Sequence, residues 1–345
     1  MEDSKNKDPP KTCTRGTHEV EEQCAEAGGP LTSYTGCTKN PGHPQFIPVY
    51  EFNTDHVRSW TPDEGHQTAD EIAGAVKCFA ETVVRIRVPL ISDQRPDTWA
   101  DGRGYPFADR KGWRLNIAGS GFVVKVYGQH DGLEGPCKCD NCPKGTAEEN
   151  KYWKILVVTA RHVVYGDNEA RACEVVFFDD QSDGSGSVTL TGGGAVEGGD
   201  TEEDGCELAW YTHNRKLAHR LKNLCNRRSE MLFRWFEETR VVVRSPRGKK
   251  RRLDVSPRSV SPATAVVISH PHGRMKYISL GNSDPDSLSD VKPYPFTYTV
   301  ATCPGSSGGL VLPLGTHYYS FWFKPHSFSL SGNHGRSAGG FFYYC

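Results

Sequence analysis

The chain is 345 residues long and carries 41 basic and 42 acidic side chains, a formal net charge of −1. That balance argues against a protein whose whole task is to coat nucleic acid. With 36% hydrophobic residues and 36 glycines, most of the chain is expected to fold, as two units or one large all-β domain.

Residues 1–67 are rich in Pro, Gly, Thr, Lys and Glu and poor in branched apolar residues, so they are expected to form a disordered tail. Thr68-Ala-Asp-Glu71 has the form of a helix capping box, and Ile72, Val76, Phe79 and Val83 follow at helical spacing. Strand signals then come at short intervals: Thr82–Leu90, Gly119–Tyr127, Tyr152–Thr159, Glu174–Phe178, Val188–Thr191 and Leu208–Tyr211. Leu217, Leu221, Leu224, Leu232 and Trp235 predict a helical insert. A strand at Thr239–Arg244 and the basic tract Pro246–Arg252 (PRGKKRR) follow. The tract reads as a nuclear import signal or nucleic-acid contact, or else as a solvated loop. Further strands are expected at Ala263–Ser269, Tyr277–Leu280, Phe296–Ala301, Leu310–Leu312, Tyr318–Phe323 and Phe341–Tyr344. Many short strands at this spacing predict barrels or sandwiches. The division expected is a tail (1–67), a helix and first β unit (68–215), and a helical, basic connection with a second β unit (216–345).

The opening residues, MEDSKNKDPPKTC, lack the apolar run of a secretory signal, and no segment reads as a spanning helix. An intracellular protein, cytoplasmic or nuclear and with no membrane partner, is therefore expected. Its twelve cysteines are then expected to be reduced thiols or metal ligands. Cys137, Cys139 and Cys142 could hold zinc with His130 or a distant cysteine. That spacing is incomplete for a structural site, and a surface hairpin of thiols is the favoured reading. No metal or other cofactor is assigned. Cys206 and Cys303 read as small buried fillers.

Three segments carry chemistry, in this order. Val157-Val-Thr-Ala-Arg-His162 delivers a histidine at the end of an apolar strand. Asp204-Gly-Cys-Glu207-Leu-Ala-Trp sets acids before a short apolar strand. Cys303-Pro-Gly305-Ser306-Ser307-Gly308-Gly309 brackets serines with glycines. A serine hydroxyl needs a base, a histidine titrates near neutrality, and a carboxylate can fix the histidine's tautomer. A glycine before the serine lets backbone N–H groups turn toward a developing oxyanion.

These segments resemble those of the chymotrypsin-like (trypsin-fold) serine peptidases. Gly119-Ser-Gly-Phe-Val123 and Ser269-His-Pro-His-Gly273 extend the likeness over about residues 115–340. The resemblance implies two six-stranded antiparallel Greek-key barrels and a serine endopeptidase acting on proteins or peptides. It implies Ser307 as nucleophile, His162 as general base, and Glu207 as orienting acid by the acid-Leu-Ala register, with Asp204 the alternative. It implies an oxyanion hole from Gly305, Ser306 and Ser307. Ser306 stands where secreted relatives carry the aspartate of their zymogen switch, so no proteolytic activation is expected. The register puts Ala301 at the base of the primary pocket, which implies cleavage after apolar or aromatic residues. A catalytically silent, partner-binding module is the rival reading.

Overall fold

The computed structural model describes residues 17–19, 21–23, 35–60, 68–140, 142–143, 151–238, 264–284, 296–314 and 324–338. The basic tract 246–252 and the expected strands at 239–244, 318–323 and 341–344 lie outside the described residues. In chain order the first strands are β1 (Thr17–His18), β2 (Glu21–Gln23), β3 (Ile47–Pro48), β4 (Val83–Val88) and β5 (Asn116–Tyr127). Then come β6 (Trp153–Ala160), β7 (Glu174–Phe177), β8 (Val188–Thr191), β9 (Gly194–Asp200) and β10 (Gly205–Thr212). The last are β11 (Thr264–Ser269), β12 (Tyr277–Ser283), β13 (Thr297–Thr299), β14 (Leu310–Leu314), β15 (Lys324–Ser331) and β16 (His334–Ser337). The helices are α1 (Thr54–Arg58), α2 (Ala69–Ala80), α3 (Asp167–Ala172) and α4 (Arg215–Glu238).

The fold is chymotrypsin-like: two curled antiparallel sheets packed together. The first runs β8-β7-β4-β5-β6-β10-β9. The second runs β15-β14-β11-β12-β13-β16, and a β15–β16 pairing closes it into a six-stranded barrel. The first is a seven-stranded curl that stays open. Its extra strand, β9, pairs with β10 and comes from a glycine- and acid-rich segment with no strand signature of its own. Phe122, Leu156 and Val158 of the first sheet pack against Ile268, Ile278 and Leu310 of the second. Each such fully buried side chain contributes about 1.5–3 kcal/mol of transfer free energy. This seam is where the chemically interesting loops meet.

Helix α2 begins at the capping box read from sequence, with the Glu71 N–H on Thr68 Oγ1 at 3.2 Å and the Thr68 N–H on Glu71 Oε2 at 2.7 Å. Its Ile72, Val76 and Phe79 are buried. Helix α4 buries Leu217, Leu221, Leu224 and Leu232. From it, buried Arg228 donates to the carbonyls of Val123 (2.6 Å) and Val124 (2.7 Å), where a register shift breaks the β5–β6 ladder. Among the described residues no helix is long and apolar enough to cross a membrane.

The tail expected to be disordered is partly built into the fold. β3 pairs with β12, and Phe46, Phe52 and Val57 are buried. Thus 35–60 is structured, and so are two short strands at 17–18 and 21–23. Sparse apolar residues suffice here because the sheets offer edges and pockets for them.

Behind the loop that follows β6, Arg95 and Glu169 form a fully buried bidentate pair, at 2.7 and 2.8 Å. Arg95 also donates to the His162 carbonyl at 2.9 Å, and Glu169 accepts the N–H groups of Ser92 and Tyr165. Removing one charge strands the other, so Glu169→Gln should lower stability by about 3–5 kcal/mol in urea titration. A loss under about 1 kcal/mol would show that the pair holds nothing.

Candidate active site

Strand β6 ends at Ala160, and the following turn carries His162 into the seam, fully buried. Its Nε2 lies 2.8 Å from Ser307 Oγ. Its Nδ1 lies 2.8 Å from Asp204 Oδ2 and 3.0 Å from Oδ1. The His162 backbone N–H also donates to Asp204 Oδ1, and the Ser327 hydroxyl donates to Asp204 Oδ2. With the Nδ1 proton facing the carboxylate, the Nε2 lone pair faces the serine hydroxyl. Burial pushes the Asp204 carboxyl up, but the His162 ring, then His18 and the Ser327 hydroxyl, hold it below the ordinary range.

The acid on His162 is therefore Asp204, and the assignment of that role to Glu207 is corrected. Asp204 sits at a left-handed bend (φ 56°) just before β10, which turns its side chain toward the histidine. Glu207 lies within β10, where Cys206, Leu208 and Trp210 face the core of the first sheet. By strand alternation Glu207 shares the other face with Ala209 and Tyr211. There burial, then the Glu197 charge, raises its carboxyl to about 7.

The Gly305 N–H (2.7 Å) and Ser307 N–H (3.3 Å) converge on one oxygen, the carbonyl of Glu19. Ser306 is not part of this pair, because its N–H donates to the Cys303 carbonyl at 2.9 Å. Gly305 has φ +92°, and a Cβ there would stand 2.5 Å from the His270 carbonyl oxygen, so the turn requires glycine. Sequence reasoning missed Ser120 on β5. Its N–H donates to the Ser307 carbonyl (2.7 Å), and its hydroxyl donates to the Gly305 carbonyl (2.8 Å) while accepting from His270 N–H.

Ala301 packs with Phe46, Met275, Tyr277 and Cys303 in an apolar cluster. Close to Ser307 a group of polar side chains gathers around Glu19. Glu19, only 3% exposed, places Oε2 2.7 Å from His326 Nε2 and Oε1 against Lys39 Nζ. Lys39 Nζ also reaches Thr302 Oγ1 (3.0 Å) and Ser329 Oγ (2.6 Å). Burial would raise the Glu19 carboxyl, but His326 and then Lys39 bring it down to about 2. Ala301, expected at the base of the primary pocket, thus lies in an apolar cluster, while Lys39 and His326 meet at the buried Glu19 carboxylate. Lys39 was not legible from the sequence as a neighbour of Glu19 and Thr302, since it lies far from the serine segment in the chain.

Donor groups for a metal gather in two other places. Cys37, His43, His272 and Cys303 form one group, and Cys137, Cys139, Cys142 and His213 the other, each with donor atoms within 4.8 Å of one another. His130 is not in the second group. No disulfide joins the described cysteines.

No protein family matches the chain, and neither does any curated protein. Similar solved structures include the Rv3671c protease of M. tuberculosis in its active form, 15% identical, covering 77% of this chain and 79% of that one, with a TM-score of 0.35. The inactive form of the same protease is 14% identical, covers 81% of this chain and 94% of that one, and has a TM-score of 0.36. Superpositions this loose carry no argument, and the functional reading stands on the geometry.

The two acids can be separated by experiment. Asp204→Asn should slow phosphonylation of Ser307 by a fluorophosphonate about 10⁴-fold, whereas Glu207→Gln should leave it near wild type. Glu207 has a second signature. Its folded-state pKa is raised, so ionisation opposes folding, and the wild type loses stability as pH rises from about 4.3 through about 7. Glu207→Gln should therefore melt higher than wild type at pH 8 and with it at pH 4. A constant difference across that range would contradict the assignment.

Proposed function

We propose that the chain is a serine endopeptidase, with Ser307 as nucleophile, His162 as general base and acid, and Asp204 as the orienting carboxylate. The observation that carries this is one continuous line of hydrogen bonds, Asp204–His162–Ser307, ending beside two converging backbone N–H groups. A silent binding module has no need of that alignment.

The steps follow from the geometry. His162 Nε2 takes the Ser307 proton as Oγ attacks a carbonyl carbon. Asp204 stabilises the imidazolium and holds its orientation. The N–H groups of Gly305 and Ser307 receive the oxyanion in a dry site, where donors are strong and need little reorganisation. His162 then passes its proton to the leaving amine, and the acyl group rests on Ser307 until water repeats the sequence.

Ser307→Ala should abolish fluorophosphonate labelling and lower peptide turnover about a millionfold. Retained turnover in a folded Ser307→Ala variant would remove the proposal.

A further inference from the structure

The cleft beside Ser307 is filled by the chain's own residues. β1 pairs antiparallel with β15, Thr17 opposite Ser329 and His18 opposite Phe328. β2 pairs antiparallel with β5, Glu21 opposite Ala118 and Gln23 opposite Asn116. Between the two, the Glu19 carbonyl accepts from Gly305 and Ser307, and the Glu19 N–H reaches Ser307 Oγ at 3.0 Å. The His18 ring lies 4.3 Å from the His162 ring, stacks on Trp99 at 5.2 Å and meets Phe328 edge-on at 5.5 Å. Two short strands added to sheet edges on either side of a nucleophile, with the Glu19 carbonyl on two converging N–H groups, match the way a peptide substrate lies.

The side-chain pocket selects chemistry as well. Both Glu19 carboxylate oxygens meet donors, His326 Nε2–H and Lys39 ammonium. The buried Tyr298 hydroxyl hydrogen-bonds His326 Nδ1 and so leaves Nε2–H aimed at the carboxylate. A glutamine would set its NH₂ against one of these donors, and an apolar side chain would leave both unpaired.

We infer that residues 17–23 are this enzyme's own substrate, that the pocket recognises a glutamate side chain, and that the bond from Glu19 to the next residue in sequence, Val20, is cut within the chain. This rests on the peptidase reading above. Ser307 Oγ bonds to the Glu19 carbonyl carbon and its proton passes to His162. The C–N bond to Val20 breaks and that proton goes to the Val20 nitrogen. Water then supplies hydroxyl to the Glu19 carboxyl and returns a proton, by way of His162, to Ser307.

The test is intact mass and N-terminal sequencing of the purified full-length chain. Wild type should acquire Val20 as its N-terminus at a rate unchanged over a hundredfold dilution, and Ser307→Ala should keep residues 1–19. Glu19→Gln should slow the cut at least about a hundredfold, and the processed enzyme should cleave the peptide RGTHEVEEQC after its first glutamate. Labelling of Ser307 together with cutting elsewhere, or equal rates for Glu19→Gln and wild type, would overturn this inference and leave the peptidase standing. A rate proportional to concentration would overturn the within-chain cut. No labelling and no cleavage of any peptide would overturn both.

A second inference rests on different residues. The structure assigns zinc sites to Cys37/His43/His272/Cys303 and to Cys137/Cys139/Cys142/His213. In the first, the Sγ atoms are 3.5 Å apart and the two Nε2 atoms 3.1 Å apart. A zinc tetrahedron with bonds of about 2.3 Å to sulfur and 2.0–2.1 Å to nitrogen has edges of about 3.8 and 3.4 Å. In the second, Cys139 and Cys142 Sγ are 3.4 Å apart, and His213 donates Nδ1–H to the Lys151 carbonyl at 2.9 Å. That bond fixes the tautomer and leaves His213 Nε2 buried with no hydrogen-bond partner among the described residues, as a ligand would be. The first site would clamp the loop that carries Lys39 against the nucleophile turn.

Elemental analysis of the full-length protein should find about two zinc ions per chain, and Cys137→Ser with Cys139→Ser about one. Cobalt exchanged into wild type should give tetrahedral, thiolate-ligated spectra, a readout independent of variant folding. One zinc in wild type would overturn one site; none, with no cobalt spectrum, would overturn both.

Discussion

Ser120 on β5 holds the turn that carries Ser307 to the first sheet, and the approach of His162 to Ser307 depends on that hold. Its backbone N–H and hydroxyl fix the carbonyls of Ser307 and Gly305, and Thr159 on β6 in turn donates to the Ser120 carbonyl at 2.7 Å. Gly308 has φ +82°, and a Cβ there would lie 2.0 Å from the Ser120 carbonyl oxygen, so the two backbones touch. Ser307 comes from the second barrel and His162 from the first. Their 2.8 Å approach survives only if the two sheets cannot slide. The apolar seam gives the free energy of docking but little register, since apolar contact is non-directional. The directional bonds of Ser120 supply the register.

The parts of the site carried by one strand end or one turn were legible in the sequence. His162 follows a run of apolar residues whose end is unmistakable, and Ser307 sits among glycines whose positive φ the turn needs. The Leu-Ala register favours Glu207 over the alternative Asp204, because the bend at Asp204 that turns its carboxylate inward is a tertiary feature. The two curled sheets were readable from strand spacing, but β9 was not, since its glycines become a strand only by pairing with β10.

The N-terminal region shows the same limit more strongly. Its composition marks it as poorly structured, and locally that is right, because almost nothing in it could form a core. What orders residues 17–19, 21–23 and 35–60 is a sheet edge, a seam or a pocket supplied from far along the chain. Lys39 meets Thr302 across 263 positions, and Glu19 meets His326 across 307. A pocket read from the residues near Ser307 alone is apolar by default. With the tail in place the same region gains the Lys39 ammonium, and the buried Glu19 carboxylate meets two donors.

These features converge on a covalent claim, that acyl groups pass through the Ser307 oxygen. The most direct measurement is acid quenching of the protein during turnover of an activated ester, followed by mass spectrometry of the digested chain. The account predicts an acyl group on Ser307, absent from Asp204→Asn over the same interval. An acyl group on Cys303, or turnover with no acylated serine, would contradict it.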